Sequence, residues 1–402
     1  MIRIIDLMRL SCSALSIFVV NLALLFSAPI AQSQQRPTKD YLVYVLSESA
    51  DKISLIRFGP KGASVERTIE TGNMPTDIDG PHGIVISPDK KFYYVSLSNG
   101  RPFGSVWKYD AATNAVLGRV QLGYFPATMD VSKDGQFLYV VNFNLHGDMV
   151  PSSVSIVATA AMMEIARVQT CTMPHGSRLN AQGTKQYSAC MMDDILVEID
   201  TSTLKASRHF VLTKGREMGM IGSPAVMKTT AAAPAKSTQH QHDTGGHGME
   251  PPKAGDVSCR PTWAQPSTDG SSIFVACNNS NEIVEVDTAG WKVRRRIPAC
   301  DGVYNLAVTK NGRLIATNKR DQSVSIVDLA SGRELARLKT KRKVLHGVVV
   351  SPDDRYAFVS VEGIGSEPGT VEIIDLVSLK TVATVDVAQE AAGIDFLRME
   401  NE

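Results

Sequence analysis

The sequence has no excess of charge of either sign. Its 402 residues contain 42 Lys and Arg against 41 Asp and Glu, which gives a formal net charge of +1. A nucleic-acid-binding protein needs a basic excess or a basic stripe for the phosphate backbone, so this balance argues against that class and equally against recruitment to anionic lipid. Hydrophobic residues make up 43% of the chain, enough for a packed core, which excludes global disorder.

The common enzyme signatures are also missing. The sequence has no Gly-x-Ser-x-Gly, no glycine-rich phosphate loop, no Cys-x-x-Cys-His for haem attachment and no His-Glu-x-x-His. Acidic pairs such as Asp193-Asp194 fall in turns or at strand ends, where solvated carboxylates are ordinary. The sequence therefore favours a binding protein over an enzyme, while leaving catalysis open.

A long apolar run occurs only at the N-terminus. Two arginines lie near the start, Leu10–Phe26 is an apolar run of about seventeen residues, and small residues follow at Ala31 and Ser33. The run is short for a membrane span and polar residues interrupt it, so a cleaved signal is favoured over an uncleaved anchor. We predict a signal peptide over residues 1–33 and a periplasmic or secreted mature protein without a transmembrane span.

The rest of the chain is built from a repeat. Each copy has an alternating apolar run, a Ser-Pro-Asp-Gly-type turn, a second run, and a third run that ends in Asp. Asp and Asn side chains bond the local backbone and Gly accepts a positive φ, so such tetrapeptides favour tight hairpins. Clear copies of the turn begin at Ser87, Ser132, Ser267 and Ser351, and diverged copies begin at Asn180 and Thr309.

The spacing of the repeat predicts the architecture. The residues that open successive units are His82, Ala127, His175, Thr262, Tyr304, His346 and Ala392. These positions lie 45, 48, 87, 42, 42 and 46 residues apart, so the interval of 87 contains one repeat and an insertion. Four-stranded units of this period form propeller blades. We predict one all-β, seven-bladed β-propeller over residues 34–402, closed by pairing of the N- and C-terminal strands, with a flexible insertion at residues 217–258 between blades 4 and 5.

Two of the repeated strands carry a family resemblance. Phe137–Asn142 (FLYVVN), with the Ser-Lys-Asp-Gly before it, and Leu314–Asn318 (LIATN) resemble the YVTN-repeat β-propeller family. The resemblance covers essentially the whole mature chain and implies the propeller fold. Related propellers include lactonases, haem-binding domains of periplasmic nitrite reductases, amine dehydrogenase heavy chains and surface-layer adhesion modules. The resemblance therefore implies no single function.

Three histidines open blades at equivalent positions. In a propeller the first strand of each blade lines the channel, so blade connections and the loops between second and third strands share one face. His82, His175 and His346, each followed by Gly, are expected to meet at the channel mouth on that face. Three imidazoles suit zinc, copper or iron, and we favour copper. The alternative is that these histidines are structural or bound to water.

The insertion adds a second group of candidate ligands. His240, His242 and His247 lie within eight residues and Met249 follows them. Imidazole suits Cu(II) and thioether sulfur suits Cu(I), so this segment could capture a metal or deliver one to the channel. A solvated loop without a role is the alternative.

The loops between second and third strands are long in blades 2, 3 and 7. They place His146 and Asp148 on the channel face, with Arg101 and Glu362 as further candidates. His146 is therefore included among the candidate metal ligands. The loops could dock another periplasmic protein on a monomeric propeller, although drift in loop length explains them as well.

The cysteines pair by position in the repeat. Cys171 and Cys259 precede the first strands of blades 4 and 5, and Cys190 and Cys277 end the second strands of the same blades. First and second strands are antiparallel neighbours, so we predict the disulfides Cys171–Cys190 and Cys259–Cys277. Cys300 has Thr317 at its partner position and is predicted to be free.

These observations leave three functions open. The favoured one is an exported propeller that binds a metal, copper first, or a metal-bearing partner at its channel face. The second is an oxidoreductase-like propeller that holds a haem-type or quinone cofactor, with a channel histidine as ligand or base. The third is a protein-interaction scaffold without a cofactor.

Overall fold

The computed structural model describes residues 36–74, 76–99, 103–224 and 255–401. These residues form 29 strands and one short 3-10 helix, Glu48–Ala50. The predicted signal peptide and most of the predicted insertion lie outside them. No helix in the described ranges is long and apolar enough to cross a membrane.

The strands are named in chain order. They are β1 Lys39–Ser47, β2 Lys52–Gly59, β3 Gly62–Glu70, β4 Pro81–Ile86, β5 Phe92–Leu97, β6 Ser105–Asp110, β7 Val116–Gln121, β8 Pro126–Val131, β9 Phe137–Asn142, β10 Pro151–Ala158, β11 Met163–Thr172, β12 Pro174–Leu179, β13 Lys185–Cys190, β14 Ile195–Asp200, β15 Lys205–Val211, β16 Met218–Ile221, β17 Pro261–Pro266, β18 Ser272–Cys277, β19 Glu282–Asp287, β20 Lys292–Pro298, β21 Val303–Val308, β22 Arg313–Asn318, β23 Ser323–Asp328, β24 Glu334–Lys339, β25 Val344–Val350, β26 Tyr356–Glu362, β27 Gly369–Asp375, β28 Lys380–Val387 and β29 Ala391–Asn401.

The strands form seven antiparallel sheets, which are the blades. Blade 1 has the order β29-β1-β2-β3, and blades 2 and 3 are β4–β7 and β8–β11. Blade 4 is β12–β16, followed by β17–β20, β21–β24 and β25–β28 as blades 5 to 7. The first strands contact one another in a closed ring, from β29 to β4 and round to β25 and back to β29. The predicted seven-bladed, all-β propeller is confirmed.

The ring closes within blade 1. Strand β29 from the C-terminus pairs antiparallel with β1 from the N-terminus, with Val43 opposite Phe396 and Val45 opposite Ile394. This pairing satisfies backbone groups that an open ring would expose at its two ends. The predicted closure by terminal strands is confirmed.

Small residues let the first strands approach one another. A Cβ atom on Gly83 would lie 2.0 Å from the carbonyl oxygen of Ala127 in the next blade. The hydroxyl of Ser96 accepts a hydrogen bond from the Gly83 N–H at 2.8 Å and donates one to the same Ala127 carbonyl at 2.9 Å. Ser360 makes the equivalent bonds to Gly347 and Ala392 between blades 7 and 1. The glycine of the His-Gly pairs is therefore explained by the close packing of the first strands.

The apolar core lies between neighbouring blades. Between blades 7 and 1, Tyr41 packs edge-on against Tyr356 with ring centroids 4.9 Å apart, and Phe58 and Phe358 complete the same buried cluster. Such offset and edge-on arrangements are the favourable geometries for aromatic pairs.

Both predicted disulfides are present. Cys171 is bonded to Cys190 and Cys259 to Cys277, with Cα–Cα distances of 5.9 and 4.5 Å. Cys300 is free, as predicted, and it is buried. Burial raises the pKa of its thiol to about 11, and the nearby Glu334 carboxylate acts in the same direction.

Part of the predicted insertion belongs to blade 4. Residues Met218–Ile221 form β16, a fifth strand that pairs with β15. Gly219 packs so closely on Trp291 of blade 5 that a Cβ atom there would lie 2.4 Å from the indole ring. Residues 225–254, with His240, His242, His247 and Met249, lie outside the described residues.

Candidate functional site at the channel mouth

The three blade-opening histidines meet at the channel axis. The ring centroids of His82 and His346 are 5.1 Å apart, and those of His82 and His175 are 6.2 Å apart. All three side chains are buried, because they fill the narrow opening between the first strands. The predicted convergence of these residues therefore holds in the structure. Their hydrogen bonds nevertheless give them three different roles.

His175 is fixed through both ring nitrogens. Its Nδ1–H donates to the carbonyl oxygen of Thr262 at 2.9 Å, and its Nε2 accepts a hydrogen bond from the Tyr304 hydroxyl at 3.0 Å. Burial lowers the pKa of His175 to about 3, with a smaller contribution from His82. This imidazole is neutral and has no nitrogen left to bind a ligand.

His82 has one nitrogen engaged and one without a partner. Its Nδ1 lies 2.8 Å from Oε2 of Glu48, which sits on the short 3-10 helix of blade 1. Burial alone would lower the pKa of His82, but the charge and hydrogen bond of Glu48 raise it above its ordinary value. Nε2 of His82 is buried and has no hydrogen-bond partner among the described residues.

His346 faces a carboxylate and a cation. Its Nε2 lies 4.0 Å from Oε1 of Glu362, and the same oxygen lies 3.7 Å from Nζ of Lys319. Burial lowers the pKa of His346 well below its ordinary value, and Lys319 acts in the same direction. Burial raises the pKa of Glu362, while Lys319 opposes that shift. His346, Glu362 and Lys319 therefore form a largely buried polar group on this side of the mouth. The positive charge of the lysine disfavours a protonated His346.

Aromatic rings surround the histidines. Phe143 packs edge-on against His175 at a centroid distance of 4.7 Å, and Phe125 packs against His82 at 5.2 Å. The Lys319 ammonium lies 4.4 Å from the centre of the Tyr304 ring. We call this set the channel plug: His82, His175, His346, Tyr304, Phe125 and Phe143.

A small cavity lies beside the plug inside the channel. It has a volume of about 30 Å³, and its lining includes His82, His346, Trp263, Asn305 and Arg178. A volume of this size holds water molecules, and nothing as large as a cofactor. A larger ligand at the channel mouth would therefore have to bind outside this cavity, on the face that carries the long loops.

The described residues contain no group of three or more His, Cys, Asp or Glu side chains placed to hold a metal ion. The physical reason at the channel mouth is that His175 is saturated by Thr262 and Tyr304, so three free imidazole nitrogens do not converge. His146 is exposed and lies against Phe125, with ring centroids 5.4 Å apart, and so does not join the other histidines. A copper site therefore gains no support here and stays a prediction.

Sequence reasoning missed two residues of the mouth. Tyr304 is a blade-opening position in the sequence, but an aromatic residue there carries no ligand signature. Glu48 precedes the third strand of blade 1, in the same type of loop that was predicted to reach the channel face in other blades. An acidic residue in that loop was the available signal. Glu362, predicted as a further candidate, does lie at the mouth, whereas Asp148 is exposed.

Comparisons with known proteins agree on the architecture. Residues 309–400 match the family model described as the cytochrome D1 heme domain. No curated protein matches the chain significantly.

Several solved structures are similar over most of their length. Hydrazine synthase of Kuenenia stuttgartiensis is 20% identical with a TM-score of 0.56, covering 81% of this chain and 92% of that one. The periplasmic gluconolactonase PpgL of Pseudomonas aeruginosa is 16% identical with a TM-score of 0.62, covering 89% and 99%. Dihydro-heme d1 dehydrogenase NirN is 16% identical with a TM-score of 0.55, covering 92% and 78%. At these identities the likeness shows the fold alone: this chain is a seven-bladed propeller with a haem d1 domain match over its last blades.

Proposed function

We propose that this protein is an exported propeller that holds a haem-type cofactor on its channel face, with His82 as the imidazole that ligates the iron. The observation that carries the proposal is the state of His82. Its Nε2 is buried without a hydrogen-bond partner among the described residues, while its Nδ1 is held by Glu48.

This arrangement is the one that suits a metal-ligating histidine. Such a histidine generally donates its other N–H to a carboxylate or a carbonyl, which fixes the tautomer and the ring orientation and raises the basicity of the ligand. Glu48 supplies the carboxylate, so Nε2 presents its lone pair when the ring is neutral. A bound haem iron would supply redox or ligand-binding chemistry, and His82, held by Glu48, would supply an imidazole ligand.

The size of the channel determines where a macrocycle would bind. The cavity of about 30 Å³ beside the plug is far too small for a tetrapyrrole, so the cofactor would lie outside the plug, on the face that carries the long loops. The plug side chains would have to move for the buried Nε2 of His82 to reach its iron. Apolar side chains are exposed in the loops of that face around blades 2 and 3, and they would cover the apolar parts of a macrocycle. They are Phe103, Tyr124, Leu145 and Met149.

Two further observations support the proposal. The matched family model describes a haem domain, and its residues 309–400 include His346, Lys319 and Glu362 of the mouth, although not His82. The two disulfides agree with export to an oxidising compartment.

The test is an absorption titration of purified protein with ferric protoporphyrin IX. The parent protein should give a saturable shift of the Soret band with the signature of histidine ligation, and His82→Ala should lose that signature. His209→Ala is the matched control, because His209 is also buried but lies on β15, away from the channel, with its Nδ1 bonded to the carbonyl of Gly222. Equal binding by the parent protein and His82→Ala would overturn the assignment of the ligand. Absence of binding by the parent, with no absorbing cofactor in protein purified from its own compartment, would favour a scaffold.

A further inference from the structure

A second cavity lies on the opposite side of the molecule from the channel plug. It has a volume of about 420 Å³ and opens between blades 1 and 2, near the hairpin turns that connect β4 to β5 and β6 to β7. Its buried floor includes Leu55, Leu397 and Tyr44. This volume is in the range of small-molecule sites, which combine an apolar lining with a few placed polar groups.

Four cationic side chains line this cavity. They are Arg67, Lys90, Lys91 and Arg398. Only Arg398 is in an ion pair, at 2.7 Å from Glu400; the other three have no carboxylate within ion-pair distance in the described part of the chain. Three cations without an ion-pair partner, gathered at one concave surface, favour an anionic ligand.

The two carboxylates in the lining, Glu66 and Asp110, offset only part of the charge of the four cations. Glu66 is bonded to the guanidinium of Arg57. Asp110 is held inside its own turn, where it accepts hydrogen bonds from the N–H groups of Ala112 and Thr113 at 3.0 and 2.8 Å. Those bonds hold the carboxylate in the turn and lower the pKa of Asp110, so it stays ionised at neutral pH.

The polar part of the floor is fixed in place. The hydroxyls of Tyr44 and Tyr93 both donate to Oδ1 of Asn114 at 3.1 Å, and the two rings pack with centroids 4.6 Å apart. Burial raises the pKa of Tyr44 to about 12, so the floor stays uncharged at neutral pH. A ligand would therefore find its countercharge in the basic rim alone.

We propose that this cavity binds a small molecule that has an apolar or aromatic body and an oxyanion group, carboxylate or phosphate. The body lies on the apolar floor and the oxyanion is held by Arg67 and the two lysines. Arginine is suited to this task because its planar guanidinium can donate two hydrogen bonds to one oxyanion. The site is independent of the channel face and does not rest on the proposed cofactor.

Calorimetric titration with three probes tests the proposal. Phenyl phosphate and benzoate contain both parts of the ligand, and inorganic phosphate contains the oxyanion alone. We expect at least one of the two aromatic probes to bind more tightly than inorganic phosphate, and their ranking distinguishes a phosphate ligand from a carboxylate. In the double variant Arg67→Ala/Lys90→Ala that binding should weaken by about tenfold or more, since two charged contacts are lost.

The matched control is Lys133→Ala/Lys310→Ala, which removes two exposed lysines from the equivalent turns of blades 3 and 6. It should leave the affinity unchanged. Equal weakening in the control would show diffuse attraction to a basic surface and would overturn the site. So would unchanged affinity in the Arg67/Lys90 variant, with folding verified by circular dichroism, or no binding of any probe at millimolar concentration.

Discussion

The hydroxyl of Tyr304 in blade 6 donates a hydrogen bond of 3.0 Å to Nε2 of His175 in blade 4. With the bond from Nδ1 to Thr262, this contact uses the whole hydrogen-bonding capacity of a neutral imidazole. It links two blades across the channel. Of the three imidazoles in the plug, only His82 and His346 then keep a buried nitrogen that has no hydrogen-bond partner among the described residues: Nε2 of His82 and Nδ1 of His346. The hydroxyl of Tyr304 thus determines that His175 has no nitrogen free for a ligand.

Tyr304→Phe tests the structural weight of this bond. The change leaves Nε2 of the buried His175 without its donor, and a buried polar atom without a partner costs about 1–3 kcal/mol. We expect the free energy of unfolding to fall by that amount in urea titrations. Tyr124→Phe, at an exposed ring on the same face, should have little effect. Equal stability of the two variants would show that the contact contributes nothing measurable.

The state of His175 also predicts a dependence of stability on pH. Its pKa is lowered to about 3 in the folded chain, against about 6.5 in an unfolded one. The unfolded state therefore binds more protons between these values, so stability is complete above about pH 6.5 and falls as the pH drops toward 3. His82, whose pKa is raised, contributes with the opposite sign.

The measurement is the melting temperature of the parent protein and of His175→Gln between pH 7 and pH 4. The variant cannot take up a proton at this position, so its melting temperature should fall less steeply on acidification. His82 is present in both proteins and affects them alike. Parallel curves would show that His175 is not the group that resists protonation.

The architecture could be read from the sequence because a propeller repeats locally. Turns such as Ser87-Pro88-Asp89 and strands such as Phe137–Asn142 recur at a fixed period, and blade packing depends on that period. The disulfides followed from the same repeat, since pairing of first and second strands sets the distance between Cys171 and Cys190. Every step needed only neighbouring elements.

The site could be predicted only in part. Position in the repeat placed His82, His175 and His346 together, but it could not give the orientation of each ring. Orientation depends on partners from distant blades, such as Glu48 for one imidazole and Tyr304 for another. The repeat pattern favours a three-histidine metal site because it gives the residue types at each position and does not show these hydrogen bonds.

The disulfides should contribute measurably to stability. The bridge between Cys259 and Cys277 spans 18 residues and the other spans 19, and closing a loop of this length restricts the unfolded chain by about 3 kcal/mol. Replacing both cysteines of one bridge by serine should lower the free energy of unfolding by about that amount. A loss below about 1 kcal/mol would argue that the bridge has a different role.

Thiol counting checks the redox state of the five cysteines that follow the predicted signal peptide. Cys300 is buried and its pKa is raised to about 11, so the native protein should react very slowly with a thiol reagent at neutral pH. Unfolding without reductant should expose one thiol, and unfolding with reductant five. Three or more thiols before reduction would contradict the two disulfides.

The final prediction concerns the glycine that follows His82. Strands β4 and β8 approach so closely that a Cβ on Gly83 would lie 2.0 Å from the Ala127 carbonyl oxygen, which is backbone and cannot move aside without shifting a blade. Gly83→Ala should therefore lower the melting temperature sharply or prevent folding.

The matched control is Gly118→Ala on the outer strand β7. The new methyl group there would lie 2.8 Å from Cγ of Met162, whose flexible side chain can rotate away. We expect the control to fold with a small change in melting temperature. Similar stability of the two variants would mean that the first strands can move apart to accommodate a methyl group. Close packing would then not explain the glycine of the His-Gly pairs.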